Sequence, residues 1–236
     1  MIFIITFLRG RSYLSYSLLK NMAMKKLLSA IVLLLLPLIS FSQVIKDLDL
    51  IAPYVDGYAA VRKNNQWGFI NSEGILVTPF RSDLIFNEKP SGSSDLGVAS
   101  LRFPQMANGR SIIKAVKNQV PFYGFIDHTG KIVIEPEFLN VSQFQNGYAL
   151  ALKVDEEKLG VNPLLGKGML AYKYDVVLID STGAVKQYLA GPFPVSVSRE
   201  KLRTAPPIRA KFLSDNLISV QGPNKLWEVH KIDPKL

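Results

Sequence analysis

The feature that most constrains this chain is a segment that recurs within it. Trp67-Gly68-Phe69-Ile70-Asn71-Ser72-Glu73-Gly74 aligns with Tyr123-Gly124-Phe125-Ile126-Asp127-His128-Thr129-Gly130. The likeness continues through Leu76-Val77 and Ile132-Val133 to a proline and a phenylalanine, Pro79-Phe80 and Pro136 with Phe138. A worn third copy, Val177-Leu178-Ile179-Asp180-Ser181-Thr182-Gly183, has lost the aromatic–Gly pair, and Leu226 to Asp233 is a faint fourth. A second motif precedes the copies: Gly57-Tyr58-Ala59-Ala60-Val61, Gly97-Val98-Ala99-Ser100-Leu101, Gly147-Tyr148-Ala149-Leu150-Ala151 and Asn216-Leu217-Ile218-Ser219-Val220. Self-similarity of this kind is the mark of a repeat architecture, in which one small unit cannot bury its apolar face alone and stacking supplies the core.

Local chemistry makes each unit β. Asn71, Asp127 and Asp180 open four-residue turns, and Gly74, Gly130 and Gly183 close them. Asx side chains hydrogen-bond to the turn backbone, and glycine takes the positive φ that strains other residues. Apolar residues flank each turn, so each reads strand, turn, strand. Trp67 and Phe69 share one face of their strand, Gly68 and Ile70 the other. Gly68 and Gly124 are expected where another stretch of backbone comes close. Asn64-Asn65 is a two-residue hairpin loop that adds a third strand. The expected fold is all-β, an array of three-stranded antiparallel meanders, open and curved or propeller-like. Its units fall at about 57–80 and 97–138, with degenerate ones at about 147–185 and 212–233.

The aromatic–Gly pair followed by Phe-Ile-Asp-x-x-Gly, an apolar pair and a proline resembles the WG, or KWG, repeats. The resemblance implies a β-rich interaction module of bacterial proteins and leaves the biochemical role open.

The spacing between first and second strands is uneven. It is Asn64-Asn65 in the first unit, and it expands to 104–121 in the second and 154–173 in the third. Insertions at one point of a repeat fall on one face, often the binding face. These carry Arg110, Lys114, Lys117, Lys158, Lys167 and Lys173, with Tyr172 at an exit. Together they predict a basic surface for an acidic glycan or protein; the alternative is plain hairpin extension with solvated lysines. The stretch 191–216, with Pro192, Pro194, Pro206 and Pro207, reads as an irregular connector or an extended edge.

Charge is explained by the beginning of the chain. The 236 residues include 28 Lys and Arg against 19 Asp and Glu, a net charge of +9. Arg9, Arg11, Lys20, Lys25 and Lys26 precede any acidic residue. Met24-Lys25-Lys26 leads into an apolar run ending Ser40-Phe41-Ser42, the order of a secretory signal. Residues 1–42 are therefore expected to be an export signal cut after Ser42, with translation starting at Met24 and 43–236 forming a single domain. The run is short for a membrane span. Without those five charges the balance is +4, too little for a nucleic-acid-binding domain. With no cysteine, disulfides, thiolate metal sites and a cysteine lipid anchor are excluded.

Catalytic constellations are sparse. Gly160 to Gly168 departs from a phosphate-binding loop in spacing and in its last residue. His128 occupies a turn position where the other copies have serine, and Glu135 and Glu137 flank a repeat proline. The sequence thus predicts a non-enzymatic, exported, cofactor-free module of the cell envelope that binds an envelope protein or glycan. A carbohydrate-binding variant would use Trp67, Tyr123 and the basic loops.

Overall fold

The computed structural model describes residues 25–26, 45–90, 97–161, 166, 168–195 and 204–232, with side chains of 157–161 and 168–171 left aside. The expected export segment, 1–42, and the expected cut after Ser42 lie outside the described residues, Lys25 and Lys26 apart. No helix among the described residues is long and apolar enough to cross a membrane.

The fold is all-β, and every strand pairs with its sequence neighbour in antiparallel fashion. One sheet contains β1 (Leu50–Ile51), β2 (Ala59–Lys63), β3 (Gln66–Ile70) and β4 (Leu76–Arg81). A six-stranded meander runs through β5 (Ser111–Lys117), β6 (Val120–Ile126), β7 (Ile132–Val141), β8 (Tyr148–Val161), β9 (Gly168–Asp180) and β10 (Val185–Val195). The third sheet is β11 (Ala210–Ser214), β12 (Leu217–Gln221) and β13 (Trp227–Lys231). None closes into a barrel.

Two kinds of turn recur among the repeats. The first is a two-residue hairpin loop, Asn64-Asn65 or Asn118-Gln119, whose residues all have positive φ, between 50° and 67°. That is the type I′ geometry, whose twist matches that of the strands. The second is the Asx loop. Asn71 Oδ1 accepts from the backbone N–H groups of Glu73 (3.0 Å) and Ile75 (2.9 Å). Asp127 Oδ1 accepts from Thr129 N (2.9 Å), Thr129 Oγ1 (2.6 Å) and Lys131 N (3.1 Å). Asp180 does the same with Thr182 N (2.8 Å), Thr182 Oγ1 (2.6 Å) and Ala184 N (3.1 Å). Gly74, Gly130 and Gly183 close these loops at φ 74°, 89° and 88°.

These bonds favour the ionised carboxylate. The Thr129 hydroxyl, with the N–H groups of Lys131 and Thr129, holds Asp127 below its ordinary pKa against the opposing effect of burial. At Asp180 burial is the largest influence and acts upward, but the Thr182 and Ala184 donors together with Lys186 outweigh it, so the net shift is again downward. A depressed folded-state pKa contributes stability above the unfolded value of about 3.9 and loses it as pH falls through the folded value. The denaturation midpoint should therefore drop below about pH 4. In Asp127→Asn/Asp180→Asn that part of the drop should be missing; an unchanged acid limb in urea titrations would refute this assignment.

Strand alternation turns the repeat into a stack. The residues two and four places before each Asx face forward. Trp67 and Phe69 pack with Ile113 and Ile126 of the second unit. Tyr123 and Phe125 share a core with Ala149, Ala151, Val177 and Ile179 of the third. Val176 and Leu178 pack with Ala210, Ile218 and Val220 of the last sheet. The residue just before the Asx, Ile126 or Ile179, faces backward into the preceding core. Three cores thus join four successive units, and among the described residues no apolar core unites the first with the fourth.

The loop glycines seat one unit on another. A Cβ on Gly130 would lie 3.3 Å from Thr78 Cγ2 on β4, and one on Gly183 would lie 3.0 Å from Ile134 Cγ2 on β7, the corresponding strand one unit later. Thr78 Oγ1 also donates to His128 O (2.6 Å), and Arg81 Nη1 donates to Gly130 O (2.6 Å) while its other nitrogens bind Asp83. Gly74, in the first unit, meets nothing within 4 Å.

Gly68 and Gly124 have a different neighbour. A Cβ on Gly68 would stand 2.7 Å from Thr78 O, and one on Gly124 would overlap Ile134 O and the backbone of Glu135 and Pro136. The close backbone is the third strand of the same unit, which bulges over the glycine: Trp67 and Phe69 pair with Arg81 and Thr78, and Tyr123 and Phe125 with Phe138 and Ile134.

Two expectations change. Residues 97–102 do not form the opening strand of the second unit; Val98–Ser100 is a 3-10 turn, and Val98 and Leu101 are buried in the middle core. The opening strand is β5, entered through Asn108-Gly109, which matches Asp56-Gly57 and Asn146-Gly147 with φ values of 48–51° and 71–87°. Hence 104–121 is no insertion, because β5 and β6 are joined by two residues. The 154–173 expansion is a continuation of β8 and β9 beyond the stack, paired as far as Val161↔Gly168. Units two and three are also fused, since β7 pairs with β8 at Phe138↔Lys153 and Val141↔Ala151.

Candidate functional site

Residues that recur are engaged in turns and cores, so candidate surfaces are sought where units differ. The lengthened β8–β9 hairpin creates one. Val154 and Glu156 of β8 and Tyr172 of β9 face the end of the β5–β6 hairpin, and Leu139 of β7 lies between. The resulting groove, about 300 Å³, is lined by Lys117, Asn118, Val120 and Phe122 on its other wall. Its lining is mainly apolar: Val120 and Leu139 are buried, and Phe122 is partly so.

Polar groups sit at its rim. Lys117 Nζ donates to Pro136 O at 2.6 Å and lies 5.7 Å from the Phe122 ring centroid. The bond fixes the ammonium against the aromatic wall, where the ring's negative face favours it. Glu156 pairs across the ladder with Tyr172. The groove therefore presents an apolar floor with one cation, one carboxylate and one phenol ring. Such a site suits an apolar side chain carried on a polar backbone.

The sequence-predicted basic surface is not assembled. Lys117 and Tyr172 share the groove, whereas Lys114, an odd number of residues away on the same strand, lies on the opposite face. It lines a separate depression with Asn87 and Tyr123. Arg110 is at the other end of β5, donating to Gly109 O (3.2 Å) and Ser181 O (3.3 Å). Lys173 pairs in the ladder with Asp155 and Pro194. Lys158 is placed by its backbone alone, opposite Leu170, and Lys167 lies outside the described residues. The cations diverge because neither run is a loop that could gather them; both are strands.

Trp67 and Tyr123 are not available for stacking on a sugar. They are 2% and 6% exposed, and burial raises the pKa of the Tyr123 phenol. Trp67 packs against Phe86 at 5.5 Å and Phe103 at 6.2 Å. Glu135 and Glu137 alternate with buried neighbours along β7, and His128 is exposed in its turn, stacked on Tyr58 at 6.2 Å. The groove residues that sequence reasoning missed are Leu139, Val154 and Glu156 and, beside the hairpin loop, Asn118, Val120 and Phe122. The signal for the last three was the Asn118-Gln119 pair, equivalent to Asn64-Asn65.

Among known proteins, the model of the family described as WG containing repeat matches residues 43–67 and 123–153. The first stretch runs to Trp67; the second spans β6, the Asp127 loop, β7 and the start of β8. No curated protein and no solved structure matches the chain. The matched stretches begin or end on the aromatic of the aromatic–Gly pair, whose ring faces the next unit in the stack, and the chain is a WG-repeat-containing protein.

Proposed function

We propose that the chain is exported and serves in the cell envelope as a non-catalytic binding or scaffold module. The observation that carries this reading is the division of labour among its residues: the repeated turn and core residues hold the stack, and the groove lies between the second and third units, where the β8–β9 hairpin is lengthened. Its partner is an envelope protein presenting an apolar side chain, held over Val120, Phe122 and Leu139 and oriented by Lys117, Glu156 and Tyr172. The all-positive leader and its apolar run support the address.

Cell fractionation combined with a photo-crosslinker at Asn118 tests both parts. The expected result is a processed chain in the envelope fraction, crosslinked to one major protein, with the product lost in Lys117→Ala/Tyr172→Ala. An unprocessed chain in the cytosol would overturn the address. Crosslinking that is indifferent to the double substitution would overturn the groove.

A further inference from the structure

A second pocket, about 360 Å³, lies where the four units converge. Asp56 comes from the turn entering the first unit and Asn108 from the turn entering the second. Gln143, Phe144 and Gln145 come from the segment entering the third, and Phe212 from β11, which enters the fourth. The entry turns are laced together around it: Gly147 N donates to Asn108 Oδ1 at 3.0 Å, and Asn146 Nδ2 donates to Asp215 Oδ1. The array therefore brings polar entry residues of the first three units and Phe212 of the fourth around one pocket.

Some of the polar groups here lack partners. Gln143 Nε2 is enclosed without a hydrogen-bond acceptor, and native proteins seldom leave a buried donor unpaired. Among the described residues the side chains of Asp56 and Gln145 make no hydrogen bond or ion pair. Asn108 uses its oxygen on Gly147 and keeps its amide N–H groups for the pocket. Phe144, held edge-on against Phe125 at 4.7 Å, and Phe212 supply apolar surface.

The chemistry selects a ligand class. Three carboxamides both donate and accept, one carboxylate accepts, and among the described residues the lining contains no cation. An anion would be repelled by Asp56, and one carboxylate is a poor match for a divalent ion. Vicinal hydroxyls, which donate and accept at neighbouring atoms, pair with carboxamides and a carboxylate, and the C–H face of a pyranose fits an aromatic wall. We propose that this axial pocket binds one ring of a neutral sugar. The proposal shares with the reading above only the premise that the chain is a binding module, and it uses none of the groove residues.

The test is saturation-transfer NMR and calorimetry on the full chain with glucose, galactose, N-acetylglucosamine and glucose 6-phosphate. At least one neutral sugar should bind, and glucose 6-phosphate should bind more weakly than glucose. Gln145→Ala removes an exposed carboxamide, and Asp56→Asn removes the charge while keeping a residue that tolerates its φ of 49°. Each should weaken binding about tenfold, the effect of losing one hydrogen bond that involves a charged or well-placed polar group. Val116→Ala, exposed on β5 and outside both sites, should leave sugar binding unchanged. Absence of transfer from every neutral sugar, preference for the phosphorylated one, or equal affinity in both pocket variants would overturn the proposal. Any of these outcomes leaves the groove reading standing. Conversely, sugar binding by a chain found unprocessed in the cytosol would sink the address alone.

Discussion

Gly124→Ala is expected to cost more than about 3 kcal/mol, enough to unfold much of the population of a typical domain. The added methyl would overlap Ile134 O and the Glu135–Pro136 peptide. These are backbone atoms, and the proline ring narrows the movements by which β7 could retreat. Retreat would also pull Phe138 and Ile134 from the core they share with Phe125. Overpacking by one methylene in a compact core already costs about 1–3 kcal/mol; here the obstacle is main chain. Gly68→Ala should be milder, because its closest backbone atom is one carbonyl at 2.7 Å and the other neighbours are side-chain tips of Leu76 and Phe80. Urea unfolding followed by circular dichroism reads both. A Gly124→Ala protein within 1 kcal/mol of the parent would mean that β7 does not bulge over this glycine.

Phe125→Ala should be the most damaging truncation, with a loss of about 3–5 kcal/mol. The ring is wholly buried, it meets Phe144 edge to face at 4.7 Å, and it lies in the core that unites the second and third units. Surrounding groups are strands pinned by ladders, so the cavity cannot collapse fully, and cavity volume adds to the transfer cost. Val116→Ala, on the next strand but 62% exposed, provides the contrast and should change stability by less than about 0.5 kcal/mol. If the two substitutions cost the same, the middle core does not hold the stack together.

The parts of this fold that can be read from sequence are the local ones. Each Asx loop is legible because the partners of Asn71, Asp127 and Asp180 are backbone N–H groups only two and four residues further on. Facing of Trp67 and Phe69 follows from alternation alone. Placement of the second unit's first strand is not local. Gly97-Val98-Ala99 imitates Gly57-Tyr58-Ala59, while the true equivalent, Gly109-Arg110-Ser111, has exchanged both of its marker residues. Burial decides between them, since Val98 and Leu101 are drawn into the middle core as a 3-10 turn. That misplacement carried through to the site. Once β5 is a strand, Lys114 and Lys117 must point to opposite faces, and the basic surface dissolves. The axial pocket was hidden for another reason: Asp56, Asn108 and Gln145 are ordinary turn residues until curvature brings them together.

Seating each loop glycine on the strand before it gives the stack a direction in time as well as in space. Gly130 rests on Thr78 and Gly183 on Ile134, so in each contact the seat precedes the occupant along the chain. Synthesis proceeds from the N-terminus, and units that contact only their neighbours can settle one after another. A nascent chain thus offers every new loop a finished surface to land on, and no unit has to wait for a distant part of the polypeptide before it can dock.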